Sequence, residues 1–244
     1  KAWNLVIIQL SGWKKTSTIC RANSVAWFVE KLDLDLLLKA YCTGFFPMAE
    51  TRDATEVFWV DPPERGIFLP DSFHVPKKLK KLIGKFDYQF KINTAFEQVM
   101  ISCGAQKFGR EDTWICPQIV DAYTELHRRG FGHSFEIWRD EKLIGGLYGL
   151  QIGAAFFGES MFGAVSGASK IALVETAARL FSGGFQLFDT QFWTEHLDQF
   201  GCLEIDKEDY LNLLGPALMG SATIQQTFSS DQLQAFLQST TQTS

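Results

Sequence analysis

Residues 132–159 read GHSFEIWRDEKLIGGLYGLQIGAAFFGE, and this stretch decides the fold. It divides into three strands, His133 to Trp138, Leu143 to Leu150 and Ala154 to Glu159, with Asp140-Glu141 and Gln151 to Gly153 as their turns. Downstream, a helix is expected from Ser169 to Phe181, stopped by Gly183-Gly184, and a buried strand from Phe185 to Thr190. A short helix over Thr194 to Phe200 ends at Gly201. A strand at Leu203 to Ile205 follows, and Asp206 caps a helix through Leu214.

Upstream, Tyr88, Phe90 and Ile92 alternate with Gln89, Lys91 and Asn93, the period of a strand. Thr94 and Glu97 read as a capping box that opens a helix to about Cys103. Pro117 lies in the first turn of another helix, Gly130 lies just past its end, and Ile119, Ala122, Tyr123 and Leu126 form its apolar face. The resulting order, β-α-α-β-β-β-α-β-α-β, is that of an acetyltransferase-like N-acyltransferase domain in the α+β class. In that fold the central strands splay and the acyl donor lies in the gap. A small N-terminal domain, residues 1–70, precedes it: a helix over Leu32 to Tyr41, then short strands at Val57 to Val60 and Gly66 to Leu69. The catalytic domain is expected over 71–244. After about residue 219 its composition turns to Ser, Thr and Gln, which reads as a mobile tail with one amphipathic turn at Leu233, Phe236 and Leu237.

Composition narrows the classes. Of the 244 residues, 46% are hydrophobic and 21% charged, enough for a real core. The net charge of -5 excludes a global basic field, so any nucleic-acid contact needs a local patch. Five cysteines (Cys20, Cys42, Cys103, Cys116 and Cys202) with no C-x-x-C argue against a disulfide framework or zinc site. The four histidines show no ligand spacing, so neither metal nor cofactor is expected. The run Leu5 to Leu10 is too short to span a membrane, as is the glycine-broken stretch from Leu143 to Gly158, against the ~20 residues required. A cytoplasmic, membrane-free monomer is expected.

The segment Ser160-Met161-Phe162-Gly163-Ala164-Val165-Ser166-Gly167-Ala168 lacks the Gln/Arg-x-x-Gly-x-Gly loop that cradles the pyrophosphate of CoA at a helix N-terminus. The same region, Gly158-Glu159-Ser160-Met161-Phe162 with Ala168-Ser169-Lys170, resembles the leucyl/phenylalanyl-tRNA–protein transferase family. So do Asp112-Thr113-Trp114-Ile115, Gly132 to Trp138, Gly145-Gly146-Leu147-Tyr148-Gly149, Asp189-Thr190-Gln191-Phe192 and Thr194-Glu195-His196-Leu197. Ala40-Tyr41, Gly44-Phe45-Phe46-Pro47 and Phe58-Trp59-Val60-Asp61-Pro62 are similar to it as well. The resemblance covers about residues 32 to 214. It implies transfer of Leu or Phe from aminoacyl-tRNA to the α-amine of acceptor proteins beginning with Arg or Lys, which marks them for degradation. The rival readings are a CoA-dependent N-acyltransferase of the same fold and a non-catalytic adaptor for basic N-termini or tRNA ends.

Asp189 and Gln191 lie two apart on a strand and share a face, either as a water-facing strand end or as reactive groups. The resemblance implies that they orient or deprotonate the amine, and that Glu159 attracts the acceptor's cation; a carboxylate paired with a structural Lys or Arg is the plainer reading of Glu159. Trp114, otherwise a core residue, is implied to hold the terminal adenosine of the tRNA. Met48 stands where the family often has Trp. Leu173, Thr176 and Leu180 share a helix face that periodicity reads as core. With Leu147, Phe156, Met161 and Phe188 they are implied to line the pocket for the transferred side chain. Lys77, Lys78, Lys80 and Lys81 belong to the one basic concentration in the chain and read either as tRNA phosphate contacts or as a solvated helix face.

Overall fold

Seven strands form the larger sheet of the computed structural model, which describes residues 28–29, 32–106 and 112–240. Across the sheet they run β10 (Leu203–Asp206), β4 (Glu64–Phe68), β9 (Leu187–Gln191), β8 (Ala155–Gly163), β7 (Lys142–Ile152), β6 (Gly132–Arg139) and β5 (Gln89–Ile92). Every neighbouring pair is antiparallel except β8 and β9. A parallel pair needs a crossover, and α5 (Ala168–Ser182) supplies it. The β6–β7 hairpin turns on Asp140 and Glu141, both with positive φ, as a two-residue turn requires. A smaller sheet, β1 (Phe28–Val29), β3 (Val57–Val60) and β2 (Phe46–Met48), stands before it with α1 (Leu34–Cys42).

The sheet is apolar on both faces because helices cover both. One face packs against α1, α3 (Phe96–Gly104) and α4 (Pro117–Arg128), through Tyr41, Val99, Ile119, Tyr123, Tyr148 and Phe157. The other carries α5, with Phe135, Phe156, Leu173, Leu180 and Phe188 buried beneath it. Phe156 makes edge contacts with Phe188 at 5.3 Å and Phe135 at 5.6 Å between ring centroids. Each such ring, fully buried, contributes about 1.5–3 kcal/mol.

Four expectations are corrected. First, β4 does not belong to the small N-terminal unit ending at residue 70: Ile67 and Phe68 pair with Asp189 and Phe188, so this strand is part of the larger sheet. Second, the described residues after 219 hold a full helix rather than a single amphipathic turn. Ser229 and Gln232 form a capping box that starts α8 (Ser230–Ser239), and Leu233 and Leu237 are buried in the α5-side core. Third, Thr94 and Glu97 do not cap α3. Buried Glu136, reaching from β6, accepts from the backbone amides of Thr94 and Ala95 at 2.8 Å each and from the indole of Trp138 at 2.9 Å. Glu136 thus ties down the N-cap amide of α3 and the one before it from outside the helix. Fourth, α7 (Lys207–Met219) passes Leu214 and takes Pro216 into its last turns. Cys20 and the run Leu5 to Leu10 lie outside the described residues.

Candidate active site where the central strands part

Pairing between β8 and β9 runs only from Ala155–Leu187 to Phe157–Asp189, although β8 continues to Gly163 and β9 to Gln191. The strands therefore part beyond Phe157. At the same point β8 slips against β7: Gly149 faces Gly158, whereas Tyr148 faces Ser160. Glu159 is the extra residue of this β-bulge, a device that re-aims a side chain out of the regular alternation. The added Cβ of any residue at 158 would come within 2.6 Å of the Phe188 ring, so the apolar layer under α5 reaches the opening.

Glu159 is buried, and its oxygens have named partners. The Tyr41 hydroxyl, at the end of α1, donates to Oε1 at 2.6 Å. The Tyr123 hydroxyl on α4 lies 3.4 Å from Oε2 and is also hydrogen-bonded to the Tyr41 hydroxyl. Gln191 Nε2 donates to Oε1 at 3.1 Å, bridging the gap from β9. Three contacts close a ring among the two phenols and the carboxyl. Burial, with the negative charge of Asp189 adding to it, pushes the Glu159 carboxyl up from 4.5 to about 8; the Tyr41 hydrogen bond and the Arg65 charge oppose the rise.

Asp189 has a different environment. It is fully buried, and Arg65 of β4 binds it in a fork, Nε at 3.0 Å from Oδ1 and Nη2 at 2.8 Å from Oδ2. The Tyr210 hydroxyl of α7 donates to Oδ2 at 2.7 Å, and the backbone amide of Gln191 donates to Oδ1 at 2.7 Å. Donors thus occupy both oxygens. Gln191 adopts φ 59, and its ring of constraints includes Gly66, where a Cβ would lie 2.5 Å from the backbone nitrogen of Trp193. Only glycine lets β4 approach the 192–193 backbone so closely.

Glu159, Asp189 and Gln191 are thus brought together, with Glu159 and Gln191 in direct contact. Met48 and Trp114, both half-buried, flank the apolar cluster that contains Tyr41 and Tyr123. Leu147, Phe156, Leu173, Thr176, Leu180 and Phe188 are buried together on the α5 side, with Met161 half-buried at their edge. The Thr176 hydroxyl donates to the Ala172 carbonyl at 2.7 Å, which satisfies it inside the helix. On α2 (Lys77–Ile83), Lys77, Lys78 and Lys81 are exposed. Lys80 differs: its ammonium donates to the Leu237 carbonyl at the C-terminal end of α8. Burial lowers the His133 imidazole to about 4, so it is neutral near pH 7. Among the described residues, no group of three or more His, Cys, Asp and Glu converges to hold a metal ion, and no helix is long and apolar enough to cross a membrane.

Sequence reasoning missed Arg65, Tyr210 and the role of two tyrosines. By pattern alone Tyr123 is part of an apolar helix face and Tyr41 a helix end. Their hydroxyls are the only signal: a buried tyrosine needs a hydrogen-bond partner, and two on neighbouring helices foretell a shared acceptor.

A mixed sheet whose one parallel pair opens over a buried, donor-lined carboxyl is the arrangement expected from the sequence of an acetyltransferase-like N-acyltransferase domain. Residues 67–215 match the family described as leucyl/phenylalanyl-tRNA protein transferase, and residues 30–63 match the N-terminal domain of the same family. The chain belongs to the leucyl/phenylalanyl-tRNA–protein transferase family. It is 51% identical over 191 residues to the leucyl/phenylalanyl-tRNA–protein transferase of Paramagnetospirillum magneticum, covering 78% of this chain and 91% of that one. The corresponding protein of Rhizorhabdus wittichii is 48% identical over 190 residues, covering 78% of this chain and 77% of its own length. Among solved structures, L-PGS from Bacillus licheniformis aligns with 72% of this chain and 57% of its own, at 15% identity and a TM-score of 0.38.

Proposed function

We propose that this chain transfers leucine or phenylalanine from its tRNA ester to the α-amine of proteins beginning with Arg or Lys. The reaction is aminolysis. The amine nitrogen attacks the ester carbonyl, the new C–N bond forms as the C–O bond to the ribose breaks, the amine loses a proton, and the ribose hydroxyl gains one. The observation that carries the reading is the meeting of Glu159 and Gln191 across the parted strands, 3.1 Å apart.

Glu159, once ionised, is the proton acceptor, so transfer rises with pH as its carboxyl loses its proton. Its value of about 8 matches that of a free α-amine, ~7.7–8.0, so proton transfer between them is nearly balanced. Asp189, filled by Arg65, Tyr210 and the Gln191 amide, is suited to hold Gln191 in place. The layer of Leu147, Phe156, Met161, Leu173, Thr176, Leu180 and Phe188 offers apolar contact to a Leu or Phe side chain. Trp114 and Met48 border the opposite cluster, where a terminal adenosine would stack. Lys77, Lys78 and Lys81, exposed on α2, are the proposed contacts to acceptor-stem phosphates.

The test is incubation with Phe-tRNA and peptides beginning with Arg, Lys or Asp, with acetyl-CoA as a competing donor, followed by mass measurement. Gain of Phe on the Arg and Lys peptides alone is expected. Equal transfer to the Asp peptide, or acetylation in place of Phe addition, removes the reading.

A further inference from the structure

We propose that Arg65 is a positioning residue for transfer: acting through Asp189, it sets Gln191, and through Gln191 the carboxyl of Glu159, at the parting of the strands. Arg65 is 2% exposed, yet every direction around its guanidinium is occupied. Its Nε and Nη2 fork onto Asp189, and Nη1 donates to the Gly44 carbonyl at 2.9 Å. The rings of Phe46 and Tyr210 lie 4.8 and 4.5 Å from its central carbon. A lysine cannot reproduce this plane of five donors between two aromatic faces.

The chain of contacts has a direction. Arg65 fixes Asp189; Asp189 Oδ1 accepts the Gln191 amide at 2.7 Å; that bond closes the left-handed turn at Gln191; and the Gln191 side chain then reaches Glu159. Gly66, the next residue of β4, lets the strand press on the backbone just beyond Gln191, so the same two residues of β4 fix both ends of the turn. Through Gly44, where φ is +85, Arg65 also ties the turn between α1 and β2 to β9. It therefore joins the part of the chain carrying Met48 to the strand carrying Gln191.

This role rests on the transfer reading above, and its test separates the two. Glu159 is faced by Tyr41 of α1, Tyr123 of α4, Tyr148 of β7, Asp189 of β9 and Arg65 of β4. Arg65→Met removes the one cation in this set, so the pH at which transfer reaches half its plateau moves upward. Arg65→Lys keeps the charge and loses the fork, so that pH stays near the wild-type value. With the full chain, Phe-tRNA and an Arg-initiated peptide, Arg65→Met is expected to lower kcat by about 100-fold, and Arg65→Lys by roughly 10-fold. Should Arg65→Met unfold from its unpaired buried carboxylate, the double variant Arg65→Met/Asp189→Asn removes that charge. It is expected to fold and to remain about 100-fold impaired. A folded Arg65→Met with wild-type kcat and an unmoved pH profile overturns the proposal, as does recovery of turnover in the double variant. A wild type that transfers nothing strikes the transfer reading, and the positioning role falls with it.

Discussion

Replacing Glu159 by Gln keeps the side-chain shape and abolishes its titration, so the pH dependence of stability isolates this one carboxyl. In the unfolded chain Glu159 titrates at 4.5; in the folded protein burial and Asp189 push it up to about 8. Between those values the folded protein holds a proton that the unfolded chain has released. Stability must then fall as pH rises, at about 1.4 kcal/mol per pH unit, and level off once both states are ionised. Over the whole window from 4.5 to about 8 the cost amounts to roughly 4 to 5 kcal/mol, a large share of a typical folding stability of ~5–15 kcal/mol. The Gln variant carries no such slope. Urea unfolding of both proteins between about pH 5.5 and 9, at matched m-values, gives the difference directly. Wild type is expected to lose roughly 3 kcal/mol relative to Glu159→Gln between about pH 5.5 and 8, and only about 0.4 kcal/mol more above that. Parallel stability curves would refute the raised titration of the buried Glu159 carboxyl. In the transfer assay the same variant should be almost inactive at every pH, because it cannot accept the amine's proton.

Two further outcomes follow from the packing and the surface charge. Gln at Lys77, Lys78 and Lys81 should flatten the log–log salt dependence of tRNA binding by about 0.9 for each phosphate no longer neutralised, whereas Lys80→Gln should leave the slope unchanged and weaken the docking of α8; filter binding over a salt series reads both. Leu237→Ala, at a site 3% exposed, should cost about 2–5 kcal/mol in urea unfolding while transfer continues, since α8 packs on the α5 side; a loss under ~0.5 kcal/mol would mean that α8 is not held there.

The central hairpins and the crossover helix are legible because their signals are local. Alternation marks β5, Asp140-Glu141 marks a tight turn, and Pro117 marks the start of α4. Glu159, Asp189 and Gln191 emerge through motif resemblance, and their spacing puts two of them on one strand. What stays hidden depends on partners far along the chain. Arg65 sits in Glu64-Arg65-Gly66, where nothing local distinguishes a buried cation from a turn residue; only the approach of β9 reveals its carboxylate. Thr94 and Glu97 carry a valid capping signal, but Glu136 arrives from β6 and takes the Thr94 and Ala95 amides. The Ser/Thr/Gln composition after 219 suggests solvation, yet Ser229 and Gln232 followed by Leu233, Phe236 and Leu237 spell a capped amphipathic helix. Bulk composition misleads where position by position the pattern is present.

The contacts that hold the carboxyls also bear on how the protein is made. Tyr41 reaches Glu159 across 118 residues of sequence, Arg65 reaches Asp189 across 124, and Tyr210 must arrive before Asp189 has its last donor. A chain emerging N-terminal end first at ~5–20 residues per second therefore displays Tyr41 and Arg65 for many seconds before their partners leave the ribosome. During that interval the acidic groups are absent, and the cation of Arg65 stays hydrated. The constellation assembles only once Tyr210 is free of the ribosome. An unfinished copy, tethered among charged tRNAs at the site of synthesis, has no means of consuming them.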